Sequence, residues 1–208
     1  MLSPSDLTLD HPSAHLNTPF RRARKSDAIE MVELINFAGE GLPLYLWSSL
    51  SDGTKSVWDI GRERAQRENG SFSYRNTIVC EAAGKAVAAL IGYPLADEVD
   101  PAVYLDMPKM FVPLQELEDM ALSTWYVNVL AAYPKYRRRG YGTQLLKIAE
   151  EMAVKAGSKG LSIIVSDANT GARKLYERCG FRETASREMV KDNWENAGEN
   201  WVLLTLYF

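Results

Sequence analysis

Histidine is nearly missing from this chain: only His11 and His15 occur, both in an N-terminal stretch rich in Ser, Pro and Asp. A histidine general base, a histidine-rich metal site and a Ser-His-Asp triad are therefore excluded unless that arm folds back. Cysteine is equally scarce. Cys80 and Cys179 lie far apart with no metal-ligand spacing, so no metal site is expected. Cys80 sits in the apolar run Thr77–Cys80 and Cys179 directly precedes Gly180; both read as reduced thiols packed as small hydrophobes. No apolar run approaches the roughly 20 residues of a membrane-spanning helix, and the N-terminus lacks the basic-then-apolar order of a secretory signal. Excess positive charge is absent too. The net charge is −3, which argues against a general nucleic-acid-binding surface. The default reading is a soluble, cytoplasmic protein with neither a membrane nor a nucleic acid as partner.

What is present suits one domain with a substantial insertion: 208 residues, 46% hydrophobic and 25% charged, enough to fill a core. Residues 1–17 read as a mobile arm and 18–208 as a single domain. A short strand is expected at Pro19–Ala23. Ser26 and Asp27 then offer an N-cap, with Glu30 completing a capping box on Asp27 before a helix ending near Gly39 and Gly41. Helices are expected at Leu42–Leu50 and from Val57 to about Glu68. Thr77–Ala82 and Lys85–Tyr93 read as an antiparallel hairpin turning at Ala83-Gly84. An acidic insertion of about 94–123 follows, with a helix at Leu114–Leu122. Trp125–Ala131 and Leu161–Val165 read as buried strands, Gly142–Ala156 and Thr170–Cys179 as helices, and Arg187–Lys191 and Trp201–Phe208 as closing strands. Strands and helices alternate around a mixed sheet, so the fold class is α/β (α+β).

The most informative stretch is Tyr133-Pro134-Lys135-Tyr136-Arg137-Arg138-Arg139-Gly140-Tyr141-Gly142-Thr143. A buried strand enters a basic loop with two glycines, and the loop opens into an amphipathic helix. Backbone N–H groups at a helix start are unpaired and sit at the positive end of its dipole. Glycines let the backbone approach phosphate oxygens, and arginines add forked donors. Together these describe a diphosphate cradle. A Walker loop would need Gly-x4-Gly-Lys-Ser/Thr, and a dinucleotide fingerprint a third glycine where Leu145 stands. A nucleic-acid patch and a plain solvated turn both account for the charge, but not for the strand before and the helix after.

Arg137-Arg138-Arg139-Gly140-Tyr141-Gly142 matches the Arg/Gln-x-x-Gly-x-Gly/Ala motif of the GNAT acetyltransferase superfamily, which this sequence resembles. Asn169-Thr170-Gly171-Ala172-Arg173-Lys174-Leu175-Tyr176, followed by Gly180-Phe181, is similar to that family's later Asn-x-x-Ala-x-x-Leu-Tyr segment and its Gly-Phe. The resemblance implies a mostly antiparallel sheet with a splayed parallel strand pair, flanked by helices. It implies acetyl-CoA as cofactor, with CoA as product. The pantetheine arm would pair with the backbone near Val127, Val129 and Leu130. Arg137, Arg138, Arg139, Gly140, Tyr141, Gly142 and Thr143 would hold the diphosphate. Asn169 and Ala172 would lie by the cofactor, although Asn169 is also a competent N-cap.

Tyr176 is implied as the catalytic proton donor to the leaving thiolate, against a reading in which it packs beside Leu175. No general base is assigned. Asn128 cannot be one, and Glu116, Glu118 and Asp119 read as solvated charges. With few nucleophiles available, direct attack by an amine in a ternary complex is expected. Seven acids against Lys109 between Asp97 and Asp119 suggest a small basic amine as acceptor. The alternatives are a protein N-terminus or lysine, or a regulatory module that binds acyl-CoA without turnover. A homodimer is compatible with all of these.

Overall fold

The computed structural model describes residues 16–208; the N-terminal arm, with His11 and His15, lies outside the described residues but for Leu16 and Asn17. Seven strands stand in the order β1-β2-β3-β4-β5-β7-β6. They are β1 (Phe20–Arg22), β2 (Thr77–Ala82), β3 (Lys85–Pro94), β4 (Trp125–Ala132), β5 (Gly160–Ser166), β6 (Arg182–Glu188) and β7 (Asn200–Tyr207). The helices are α1 (Ala28–Ala38), α2 (Leu42–Ser49), α3 (Val57–Ala65), α4 (Val112–Asp119), α5 (Tyr141–Lys155) and α6 (Thr170–Arg178). The chain forms two compact units, one running up to Tyr93 and taking in Asn128–Ile148, the other made of Pro94–Val127 and Ala149–Phe208. Among the described residues no helix is long and apolar enough to cross a membrane.

In the first unit β1, β2 and β3 are antiparallel, with Phe20 opposite Cys80 and Thr77 opposite Ile91. The β2–β3 turn falls at Ala83 and Gly84, with φ of 51° and 74°, the two left-handed residues a tight hairpin needs. Met31, Val32, Leu34 and Ile35 of α1 pack with Trp47, Val79, Ala89, Ile91 and Val129 in one apolar cluster. Asp27 behaves differently from the expected cap. Its carboxylate turns back to the amide of Arg24 at 2.6 Å and takes both terminal nitrogens of Arg21 at 2.7 and 2.9 Å. Arg21 is fixed from its other side by Glu81, 2.5 Å from Nε. The strand-to-helix corner is thus closed by an ion pair, and no Asp27–Glu30 box forms. α3 stops at Ala65, short of the expected Glu68. Ser73 Oγ donates to the Arg67 carbonyl and Asn76 Nδ2 to that of Gly70, so this backbone is held as a loop.

In the second unit β4 and β5 are parallel, in register at Trp125–Leu161 and Tyr126–Ser162. The pair is locked from beneath by the buried hydroxyls of Thr124 and Ser162, 2.7 Å apart. β5 pairs with β7 along its whole length, from Gly160–Tyr207 to Ser166–Trp201. β6 lies outside β7 with a register shift between Glu183 and Ala185. This corrects the expected strand at Arg187–Lys191: the strand starts five residues earlier, as an exposed polar edge that hydrophobic alternation does not reveal. α4 starts earlier than expected as well, because Pro113 sits in its first turn, where a missing N–H has no consequence. It packs on β6 and β7.

Candidate functional site

In the first unit β4 leads straight into the basic loop. The amide of Tyr133 still bonds to Val87 O at 3.0 Å, and a short turn at Pro134–Tyr136 follows. Arg137 is extended, at φ −65° and ψ 161°. Arg138 and Gly140 are left-handed, at φ 60° and 83°, and Tyr141 opens α5. The hydrogen-bond ladder of α5 begins with Gln144 N to Gly140 O at 3.1 Å. The amides of Tyr141, Gly142 and Thr143 therefore precede the ladder, at the helix end where anions are favoured. Residues 137–140 are exposed. Left-handed residues within a turn can gather successive N–H groups into an anion-binding concavity. An arginine at φ 60° is uncommon, and strain of this kind clusters at ligand sites. The loop fits a diphosphate.

The three arginines do different work. Arg137 donates through Nε to Ala132 O at 3.1 Å, and its guanidinium stacks 5.9 Å from the Phe37 ring centre. Phe37 meets Tyr133 edge-on at 5.8 Å. The Tyr133 hydroxyl, raised in pKa by burial and by its hydrogen bond to Glu33, ties the loop entry to α1. Arg139 and Lys135 each lie 5.2 Å from the centre of the Tyr136 ring. Phe20 contacts Tyr141 edge-on at 6.4 Å. These aromatic braces escaped sequence reading because Phe20 and Phe37 lie about a hundred residues from the loop. The one available signal was the aromatic content of the loop itself. Within β4, Asn128 donates to the Tyr93 hydroxyl at 2.9 Å. Val129 is buried and Leu130 partly buried.

Val127, Asn169, Ala172 and Tyr176 belong to the second unit. Asn169 is the N-cap of α6, its Oδ1 accepting from Ala172 N at 3.2 Å. Asn169 Nδ2 is not part of that cap. Asp167, just before, accepts the amides of Glu199 and Asn200 at 2.9 and 3.0 Å and Asn200 Nδ2 at 3.0 Å. It thereby fixes the β6–β7 connection to the end of β5. Tyr176 is buried, 4% exposed, with its ring 5.9 Å from Phe181. Of the cysteines, Cys80 is buried, which raises its thiol pKa, and Cys179 sits at the end of α6.

Of the three carboxylates of α4, which the sequence suggests are solvated charges, Glu116 keeps an exposed side chain, and each is placed differently. Glu116 pairs with Arg187 of β6 at 2.6 Å, and Asp119 accepts the Tyr104 hydroxyl at 2.6 Å. Glu118 is partly buried, and desolvation together with the adjacent Asp119 charge pushes its pKa up to about 7.

The acetyltransferase (GNAT) family model matches residues 44–181, about two thirds of the chain. The chain is similar to a probable N-acetyltransferase 14 of Xenopus tropicalis, 36% identical over 91 residues, 44% of this chain and 34% of that protein. It is similar also to the [ribosomal protein bS18]-alanine N-acetyltransferase of Haemophilus ducreyi, 31% identical over 78 residues, 38% of this chain and 54% of that protein. The chain thus spans only about a third to a half of these relatives. The solved N-acetyltransferase of Staphylococcus aureus Mu50 shares the fold, with a TM-score of 0.62 at 20% identity over 90% of this chain and 99% of that one. Loop conformation, motif and family model agree: the chain belongs to the GNAT acetyltransferase family.

Proposed function

We propose that this protein is an N-acetyltransferase that moves an acetyl group from acetyl-CoA to a small basic amine by direct attack in a ternary complex. The observation that carries the reading is the loop of residues 137–143, whose left-handed Arg138 and Gly140 precede the free amides of a helix start. Acetyl-CoA supplies an acetyl group activated as a thioester. The amides of Arg138 through Thr143 hold the diphosphate, with Arg137 bracing the loop from within. The backbone of Val127, Val129 and Leu130 offers β-type pairing to the extended pantetheine arm. Asn169 caps α6 and offers its Nδ2 to the cofactor, beside Ala172. Tyr176 donates a proton to the leaving sulfur.

The acceptor is argued from charge. Of the insertion's acids, Glu98 and Asp106 are exposed and have no ion pair among the described residues, so they present negative potential to an approaching ammonium. A second reading, a protein N-terminal amine, is favoured by the similarity to the bS18-alanine N-acetyltransferase. Thiol release from acetyl-CoA across a panel of diamines, polyamines, neutral amines and an alanine-terminated peptide tests both. Diamines and polyamines should turn over fastest. Preference for the peptide selects the second reading, and binding of acetyl-CoA without thiol release from any amine defeats both.

A further inference from the structure

Packing holds α6 weakly, although the helix carries Tyr176 and is capped by Asn169. Of its residues, Thr170–Arg178, only Tyr176 is buried. A helix this short is marginal unless tertiary contacts hold it. Its far end is held locally: Phe181 N donates to Tyr176 O at 3.1 Å, and Arg173 pairs with Glu183 at 2.6 Å. Its start is a tight turn, with Asn169 N bonded to Ser166 O at 3.0 Å and Thr170 N to Ala168 O at 2.9 Å. Tyr176 lies two turns, about 10 Å, along the axis from Asn169. Whatever fixes that turn therefore fixes where Tyr176 stands.

The hold on the turn comes from outside the helix, through Asp167. This carboxylate is half-buried, and among the described residues no lysine or arginine pairs with it. Its oxygens are taken up by Glu199 N, Asn200 N and Asn200 Nδ2, and its own amide donates to Asn200 O at 2.9 Å. Buried Ser166 adds a second link, its Oγ accepting from Ala168 N at 3.3 Å and donating to Asn196 Oδ1 at 3.4 Å. Gly198 approaches so closely that an added Cβ would lie 2.1 Å from Ser166 Oγ and 2.8 Å from Asp167 Oδ1. The 196–200 segment is anchored in its turn. Lys191 Nζ donates to Asn196 O at 2.9 Å, and Trp194 stacks on Trp201 at 5.7 Å with the rings 7° apart. Hydrogen bonds to an ionised acceptor are roughly twice as strong as neutral ones, so the Asp167 clasp outweighs the single cap bond of Asn169.

We propose that Asp167 is a positioning residue for acetyl transfer: through it, residues 196–200 set the start of α6, and hence Asn169 Nδ2 and the Tyr176 hydroxyl. This role rests on the acetyl-transfer reading above. Asp167 takes no part in the proton transfer, because its oxygens are committed to Glu199 and Asn200. Diphosphate binding, assigned to residues 137–143, does not involve it. Asparagine is the same size but no replacement. Its Nδ2 would face an N–H donor where the carboxylate accepts one.

The test opens the clasp from both sides, with Asp167→Asn and with Gly198→Ala, whose methyl can be seated only if Ser166 and Asp167 give up bonds. Thiol release gives kcat and calorimetry gives Kd. A misplacement of about 1 Å costs roughly 10²-fold in rate, so each variant should lose about that much in kcat. The acetyl-CoA Kd should rise several-fold as Asn169 shifts, while the Kd for ADP, which has no pantetheine, stays parental. In a Tyr176→Phe background Asp167→Asn should cost less than about twofold further, because residues acting as a unit are not additive. Parental kcat in Asp167→Asn, or its full loss repeated in the Tyr176→Phe background, would overturn the proposal. An ADP Kd that rises with that of acetyl-CoA would overturn it too. Should Asp167→Asn not fold, Gly198→Ala decides by the same readouts. If Tyr176→Phe keeps parental kcat, no proton donor is left to position and the proposal falls. A parent that releases no thiol with any amine overturns the acetyl-transfer reading, whereas an active parent matched by Asp167→Asn overturns only the role of Asp167.

Discussion

Replacing Gly140 with alanine probes the diphosphate loop through its backbone rather than its contacts. Gly140 stands at φ 83°, and an added Cβ would meet nothing closer than Gln144 Nε2 at 3.6 Å, an ordinary contact. The penalty is therefore conformational, about 1–2 kcal/mol for an L-residue held left-handed. A loop carrying alanine relaxes toward right-handed backbone and must return to the cradle conformation when acetyl-CoA binds. At 1.4 kcal/mol per tenfold, the Kd should rise about 5–30-fold, read by calorimetry on the folded variant. Gly142 provides the contrast. It is the second residue of α5, where alanine improves helix propensity by up to about 1 kcal/mol. Gly142→Ala should therefore leave Tm unchanged or raised, while any loss of affinity reflects crowding of the diphosphate, growing further in Gly142→Val. An unchanged Kd in both Gly140→Ala and Gly142→Val would remove this loop from the cofactor site.

Tyr176→Phe should keep acetyl-CoA affinity and lower kcat by roughly 10²–10⁴-fold, the loss shrinking with a donor whose thiolate is a better leaving group; parental kcat would make Tyr176 a packing residue. Burial raises the pKa of Asp27, but hydrogen bonds from Arg21 and the Arg24 amide outweigh it and hold the group below its ordinary value. Its stabilising contribution is thus complete above the unfolded pKa of about 3.9 and is lost as pH falls through the folded value. Asp27→Ala should cost about 3 kcal/mol at neutral pH and far less in acid, and urea unfolding that shows the same penalty at both would contradict the ion-pair account. Gly160→Ala would place Cβ 2.2 Å from Leu206 O and 2.8 Å from Tyr207 Cα, forcing β5 and β7 apart at about 3 kcal/mol; parental Tm would show that the backbones do not approach so closely. Glu98→Gln with Asp106→Asn should raise KM for a diamine, flatten its salt dependence and leave KM for acetyl-CoA unchanged, and an unaltered amine KM would end the argument for electrostatic attraction.

Where burial and periodicity coincide, the fold is legible in the sequence. The runs Thr77–Ala82, Lys85–Tyr93 and Leu161–Val165 lie within strands whose residues are largely buried, and Ala83-Gly84 is the hairpin turn. β6 was hidden for the opposite reason. Arg182-Glu183-Thr184-Ala185-Ser186-Arg187-Glu188 has almost no apolar side chain to bury, and β7 alone dictates its pairing. Asp27 misled because a carboxylate three residues before a candidate Glu matches a capping box, while Arg21 on a neighbouring strand offered a stronger partner. The loop's residue types were readable, since glycine spacing and helix entry are local properties. Its rigidity was not, because Phe37, Glu33 and Phe20 brace it from α1 and β1.

The acidic insertion shows why composition alone could not assign its role. Seven acids face one lysine between Asp97 and Asp119, yet the fold gives them separate tasks. Asp97 accepts the Ser123 hydroxyl at 2.7 Å, and Asp100 caps a turn through Ala102 N at 2.9 Å. Glu116 and Asp119 hold α4 to β6 and to Tyr104. These four carry charge but serve the architecture, and an added amine would compete with partners already in place. Glu98 and Asp106 remain in solvent, where charge acts at long range and salt weakens it. Glu118 is partly buried with no ion pair or hydrogen bond among the described residues, so its charge is conditional on pH. A count of acids treats the three groups alike, but only the second attracts a cation at a distance and only the third can take a proton near neutrality. Long-range negative potential and a charge conditional on pH therefore reside in different carboxylates of one insertion.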